Sequence, residues 1–252
     1  MDKTLLWNKG VIMRLDKLIE ETLHTSRKEM KRLFSKGQVT VDGIKENQQN
    51  RNVDSNIHHI SAAGIELFTN EVYYLLDKPI GAVTANSDLK YQTVFDCLAL
   101  KDNQPNLYAV GRLDRDTSGF LLLTSNGQLG YDLLHPVKKV AKVYEAWINE
   151  IVTAEDIAKF QEGIIFLDGT HCQPAILEIL LLDEQVGHSL VRLTIWEGKF
   201  HQVKKMFLAC GKKVIALRRI AMGPLRLPEN SQPGNYQKLT QTQLALLKPY
   251  FR

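Results

Sequence analysis

Apolar residues recur at helical spacing at Leu15, Leu18, Ile19 and Leu23, and again at Met30, Leu33 and Phe34. Two short amphipathic helices therefore open the readable part of the chain. Ser26-Arg27-Lys28-Glu29 has the capping-box form that starts the second helix, and Gly37 is placed to end it. Val39-Thr40-Val41 followed by Asp42-Gly43 predicts a strand and a hairpin turn. Polar residues from Glu46 to Asn52 break the pattern, and a boundary is expected within Ala62–Asn70, around Gly64.

Beyond that boundary the period changes. Val72–Leu76, Gly81–Ala85, Phe120–Leu123, Val140–Ile148 and Ala175–Leu182 read as strands, and Leu190–Trp196 alternates cleanly. Phe200, Val203 and Phe207 are expected to pack inward. Helical segments fit Thr93–Leu98, Asn126–Leu134, Ala154–Gln161, Phe200–Cys210 and Thr240–Leu247. The expected class is α+β: a small N-terminal α/β domain over 13–62, a linker over 63–71, and a larger domain over 72–252 with a mixed, mostly antiparallel sheet.

The chain has 252 residues, 44% hydrophobic and 24% charged, which suits a globular protein with a sizeable core. Cys97, Cys172 and Cys210 have no CxxC spacing, so neither a zinc site nor a disulfide framework is expected, and a cytoplasmic location fits. No run approaches the roughly 20 apolar residues of a membrane span. Leu5-Leu6-Trp7 is too short for a secretory signal; residues 1–12 read as an appendage, with Met13 an alternative start. The net charge of +4 decides little, but its placement matters. From Gly198 to Pro228 there is no Asp or Glu, while Lys199, Lys204, Lys205, Lys212, Lys213, Arg218, Arg219 and Arg226 are basic. Alone, such a run is a solvated basic face; it also suits a polyanion.

Three segments could carry chemistry. Gly111-Arg112-Leu113-Asp114-Arg115-Asp116-Thr117-Ser118-Gly119 sets a carboxylate among arginines at the mouth of an apolar strand. An ionised Asp there needs a cation or donors to hold it. Asp114 and Asp116 alone make a thin metal set, with no His or Cys cluster beside them, and no metal is expected. On an extended chain Lys142 and Tyr144 project side by side: a cation for a phosphate next to a ring that can stack on a base. In His201-Gln202-Val203-Lys204-Lys205-Met206-Phe207 a helix begins, and Lys204 is the candidate partner that keeps Asp114 ionised.

Taken together these segments resemble the pseudouridine synthases of the RsuA/RluA superfamily. Gly111–Gly119 resembles the family signature, Tyr73–Ala85 with Lys78-Pro79 its first motif, Lys142-Val143-Tyr144 its Lys-x-Tyr motif, and Glu197–Gly211 its C-terminal motif. His201–Phe207 and Pro233–Thr240 are closest to the RsuA branch, and residues 14–60 look like the RNA-binding module of ribosomal protein S-four. The resemblance implies isomerisation of uridine to pseudouridine in ribosomal RNA, most of all 16S rRNA, with no cofactor. It implies Asp114 as the catalytic carboxylate, Tyr144 as the ring packed on the target base, and Lys204 as the basic partner of Asp114. Attack on the sugar, addition to the base and removal of a ribose proton all remain open for Asp114. Arg112, Arg115, Lys142, His201 and Lys205, with Arg27, Lys28, Lys31 and Arg32 of the small domain, are the implied RNA contacts. An assembling small subunit as partner and a monomeric state complete the expectation. A large-subunit or tRNA target, and an RNA-binding assembly factor with dispensable catalysis, are the alternatives.

Overall fold

The computed structural model describes residues 13–250, so the reading of residues 1–12 lies outside it. Helix α1 spans Leu15–Leu23 and α2 spans Arg27–Ser35. The capping box forms as expected: the Glu29 amide donates to the Ser26 hydroxyl, and the Ser26 amide donates to the Glu29 carboxylate at 2.8 Å. Strands β1 (Val39–Val41) and β2 (Ile44–Lys45) are joined through Asp42-Gly43, both at positive φ. Strand β3 (Ile60–Ala62) turns into β4 (Ile65–Glu66) through Ala63-Gly64 in the same way. The small sheet has the order β2-β1-β3-β4 over a core of Leu15, Ile19, Met30, Phe34, Val39, Val41, Ile60 and Leu67. The stretch read as a linker thus contains β4, and Leu67 in that stretch is buried.

A nine-stranded sheet occupies the rest. Its strands are β5 (Tyr73–Lys78), β6 (Tyr108–Ala109), β7 (Thr117–Thr124), β8 (Lys142–Ile148), β9 (Ile176–Asp183), β10 (His188–Ile195), β11 (Val214–Met222), β12 (Leu225–Arg226) and β13 (Tyr236–Lys238). The main path runs β13-β5-β7-β11-β8-β10-β9, antiparallel except where β11 lies parallel to β7. Helices α3 (Gly127–Leu134), α4 (Ala154–Glu162), α5 (Gln202–Ala209) and α6 (Gln241–Leu247) complete the mixed α+β fold.

Strands β5 and β7 are buried at every position. Tyr74, Leu76, Leu121 and Leu123 join the core that includes Phe160 of α4 and Phe207 of α5. Their neighbours Tyr73, Leu75, Phe120 and Leu122 join the core that includes Leu129 of α3 and Leu244 of α6. A strand covered on both faces reads as an unbroken apolar run, as Phe120–Leu123 does. Each fully buried Leu or Phe contributes roughly 1.5–3 kcal/mol.

Three expectations need correction. Gly81–Ala85 is a loop with a single bridge, Val83 to Thr93, because Pro79 and Gly81 (φ +96°) turn the chain away and its polar groups bond elsewhere. Thr93–Leu98 contains only one 3₁₀ turn, Phe95–Cys97. Phe200 is 72% exposed and stacks on the His201 ring, because α5 starts only at Gln202 and His201 adopts a left-handed conformation (φ 52°).

Candidate active site

The Gly111–Gly119 loop leads into β7 at the point where β5 ends and the parallel β7–β11 pair begins. Gly111 (φ +80°) turns the chain into it. Lys78, fully buried at the end of β5, donates to the carbonyls of Pro79 (2.9 Å), Arg115 (3.4 Å) and Thr117 (2.9 Å). Burial drives its ammonium down to about 8, against the opposing pull of Cys97, Asp116 and Asp114. The Gly81 amide reaches the Arg115 carbonyl at 2.8 Å, and the Thr84 hydroxyl bridges the carbonyl and amide of Leu113 at 2.9 and 3.2 Å. The Gly81 amide and the Thr84 hydroxyl thus brace this loop, while the amide and carbonyl of Val83 bond to Gln92 and Val94 instead of joining the sheet.

Asp114 emerges from the braced loop with 30% of its side chain exposed. From α5, Lys204 Nζ lies 3.0 Å from Asp114 Oδ2 and 2.5 Å from Asp116 Oδ1, and His201 Nε2 lies 3.5 Å from Asp114 Oδ1. Burial alone would lower the Lys204 ammonium, but hydrogen bonds and charge from both carboxylates raise it above its ordinary value. Asp116 mirrors this: burial would raise its carboxyl, and Lys204 outweighs that and lowers it. The cation thus stays charged beside two acids.

Strand β8 supplies Lys142 and Tyr144 from its buried face. Tyr144 lies opposite Leu193 on one side and Arg219 on the other. Lys142 donates to the Val140 carbonyl at 3.3 Å; burial and then the nearby Arg219 lower its ammonium, with Glu197 opposing. A cleft of about 700 Å³ is lined by Asp114, Tyr144, Lys204, Arg112, Arg115, Lys142 and His201 together. That volume accommodates a small ligand or one nucleotide. Among the described residues no three His, Cys, Asp or Glu side chains converge in metal-binding geometry.

Five expected residues lie outside this lining. Lys205 pairs with Asp168 at 3.1 Å and sits over the Phe166 and Phe200 rings. Arg27, Lys28, Lys31 and Arg32 are exposed on α2. Sequence reasoning missed Thr84, Lys78 and Arg219 as site residues. Arg219 is 2% exposed and lines the cleft; Leu217 and Ala221 flank it on the same buried face of β11. A cation at alternating spacing between apolar residues was the signal that could have found it.

The arrangement offers an immobilised carboxylate, a fixed ammonium and a phenol ring facing one nucleotide-sized space. Comparison with known proteins points the same way. The chain is 39% identical over 236 residues to the uncharacterized RNA pseudouridine synthase YtzG of Bacillus subtilis (strain 168), covering 93% of this chain and 98% of that one. It is 35% identical over 240 residues to the ribosomal small subunit pseudouridine synthase A of Vibrio cholerae, covering 92% and 98%. A solved pseudouridylate synthase superimposes with a TM-score of 0.65 at 32% identity, over 93% of this chain and 99% of that chain. Residues 72–209, which hold every one of the cleft's acids and the tyrosine, match the model of the family described as RNA pseudouridylate synthase, and it is to this family of isomerases that the chain belongs.

Proposed function

We propose that this protein isomerises uridine to pseudouridine in small-subunit (16S) ribosomal RNA, with Asp114 as the catalytic carboxylate. The observation that carries the reading is the Asp114 carboxylate, accessible at 30% exposure, held 3.0 Å from Lys204 in a cleft that also contains Tyr144. The small-subunit target draws on the Vibrio cholerae relative's name and on the wording of His201–Phe207 and Pro233–Thr240.

The reaction breaks the bond from ribose C1′ to base N1, turns the base and joins C1′ to C5. C5 loses a proton and N1 gains one, so no oxidant, water or group donor is consumed. Asp114 works as a carboxylate beside the ribose, Lys204 fixes its position, and Tyr144 packs on the base. The target uridine must leave its stack to enter the cleft, at a cost of a few kcal/mol. Arg112, Arg115 and His201 at the cleft offset that cost by gripping the flanking phosphates. The unit carrying α1, α2 and β1–β4 is an RNA-binding domain of the ribosomal protein S-four type, engaging an assembling small subunit. The protein acts as a monomer in the cytoplasm.

Asp114→Asn tests the assignment, with precursor 16S rRNA as substrate and pseudouridine mapped by chemical sequencing. The variant is expected to form no pseudouridine while binding the RNA as the unaltered protein does. Turnover retained in the variant removes Asp114 from the reaction. Mapping rRNA from cells lacking the chain names the target, and an intact 16S profile with a site lost elsewhere overturns the small-subunit reading.

A further inference from the structure

Among the described residues, two buried polar atoms in the cleft have no hydrogen-bond partner: Nη2 of Arg219 and the hydroxyl of Thr117. Both residues are 2% exposed, and both line the cavity that holds Asp114 and Tyr144. An unpaired polar atom removed from water costs about 1–3 kcal/mol, and more when it is charged. Arg219 is otherwise committed, since its Nε donates to the Phe120 carbonyl at 2.8 Å. Neither this bond nor any ion pair satisfies the far side of its guanidinium. Lys142, a second buried cation lining the same cavity, donates to the Val140 carbonyl at 3.3 Å. Two cations and a hydroxyl are thus gathered on a cavity wall where the carboxylates are already engaged by Lys204.

We propose that Arg219, with Lys142 and Thr117, forms the uracil-recognition wall of the cleft, its free Nη2 donating to a carbonyl oxygen of the flipped base. The inference rests on the pseudouridine synthase reading and names how that site holds its substrate. Phosphates are met by the exposed cations Arg112 and Arg115, whereas buried donors are reached by the part of the nucleotide that goes in deepest, the base. Uracil presents O2 and O4 as acceptors on either side of the N3–H donor. Cationic donors match the oxygens, and the Thr117 hydroxyl can accept from N3–H. Cytosine would turn its 4-amino donor toward a cation and be rejected. The same contact acts during the reaction. As C1′–N1 breaks, the electron pair passes to N1 and spreads onto O2 and O4. It returns to the ring when C5 bonds to C1′, C5 releases its proton and N1 takes one up. Arg219 transfers no proton; it is a fixed donor aimed at charge that builds and then fades.

The test uses full-length small- and large-subunit rRNA transcripts made with UTP, 2-thio-UTP or 4-thio-UTP, and a fourth set carrying phosphorothioates. Sulfur accepts hydrogen bonds poorly, so the unaltered protein is expected to lose about tenfold or more in kcat on one thio-substituted RNA. Arg219→Lys is expected to lose about a hundredfold in kcat on the UTP transcript, with KM little changed, the scale of removing one oxyanion-hole donor. Its thio effect should shrink to near unity, a coupling that a purely structural arginine would not give. Equal thio effects in both proteins, full activity of the variant, or slowing only with phosphorothioates overturns the proposal. If Arg219→Lys does not fold, the unaltered protein still decides, because no thio effect at either oxygen sinks it. Failure of the unaltered protein on every UTP transcript would instead refute the enzymatic reading on which the inference stands.

Discussion

At Gly119 the fold depends on the absence of a side chain. Its φ is +103°, and a Cβ there would stand 2.2 Å from the Arg219 carbonyl oxygen and 2.9 Å from the Arg219 nitrogen. The parallel pairing of β7 with β11 sets Thr117 against Leu217 and Gly119 against Arg219, so this one close approach positions two walls of the cleft. Gly119→Ala is expected to cost about 3 kcal/mol or more, combining left-handed strain with a backbone clash. Urea denaturation should show the midpoint falling, and pseudouridine formation should fall with it. A variant of unchanged stability would mean that the strands separate without cost. The glycine was legible in the sequence as part of a motif; the strand it must admit was not, because Arg219 is 100 residues away.

Among the elements, sequence pattern served best where one face is buried. The capping box of α2 and the alternation of β10 follow from local chemistry alone, and both formed as expected. Strand β11 escaped because Lys212, Lys213, Arg218 and Arg219 mask its apolar alternation and make it read as a charge run. Gly81–Ala85 misled for the opposite reason: its partners are the short 92–94 segment and the 111–119 loop rather than a sheet, and pattern brings neither into view. Helix α2 illustrates a further conflict. Arg27/Lys31 and Lys28/Arg32 stand one turn apart, exposed, and like charges at that spacing cost a few tenths of a kcal/mol each. The capping box offsets this penalty, at about 1 kcal/mol. The proposed RNA-binding role gives these four cations an anion to meet. Changing all four to Gln is therefore expected to leave the melting temperature unchanged or slightly higher while weakening rRNA binding. The slope of log affinity against log salt should shrink by about 3, close to four lost phosphate contacts. An unaltered salt slope would remove α2 from the RNA interface.

Across the whole molecule, the small sheet and the large one meet through a buried polar cluster beside one apolar contact, Ile57 packed into the core of Tyr73, Leu75 and Leu129. Asp54, fully buried, accepts from the Tyr73 hydroxyl of β5, from Asn126 Nδ2 at 2.9 Å, and from the Asn56 amide at 2.8 Å. Asn126 in turn caps α3, accepting from the Leu129 amide at 3.0 Å. On another edge Lys248 pairs with Asp42 at 2.8 Å. Contacts of this kind require matched geometry, so they hold the two sheets in one relative placement. The cross-sheet contacts are not visible in sequence pattern, since Asp54 and Asn126 are 72 residues apart and Asp42 and Lys248 lie at opposite ends of the chain.

Glu71 sits at this junction, and its carboxyl is pushed up to about 7, first by burial and then by the charge of Asp54. The sign of the resulting pH dependence follows from proton counting. Between about 4.5, the ordinary value, and about 7, the folded protein retains a proton that the unfolded chain has released. Raising pH through that window therefore weakens folding, and above it Glu71 is a charge held in an unfavourable place. Glu71→Gln cannot ionise and is spared this loss. At pH 8 the variant is expected to melt roughly 2–4 °C above the unaltered protein, allowing for partial screening by solvent. At pH 5 the two should melt together. A gap that persists at pH 5 would trace the gain to packing rather than to the buried charge, and a variant less stable at pH 8 would show that ionised Glu71 has a cation the junction keeps for it.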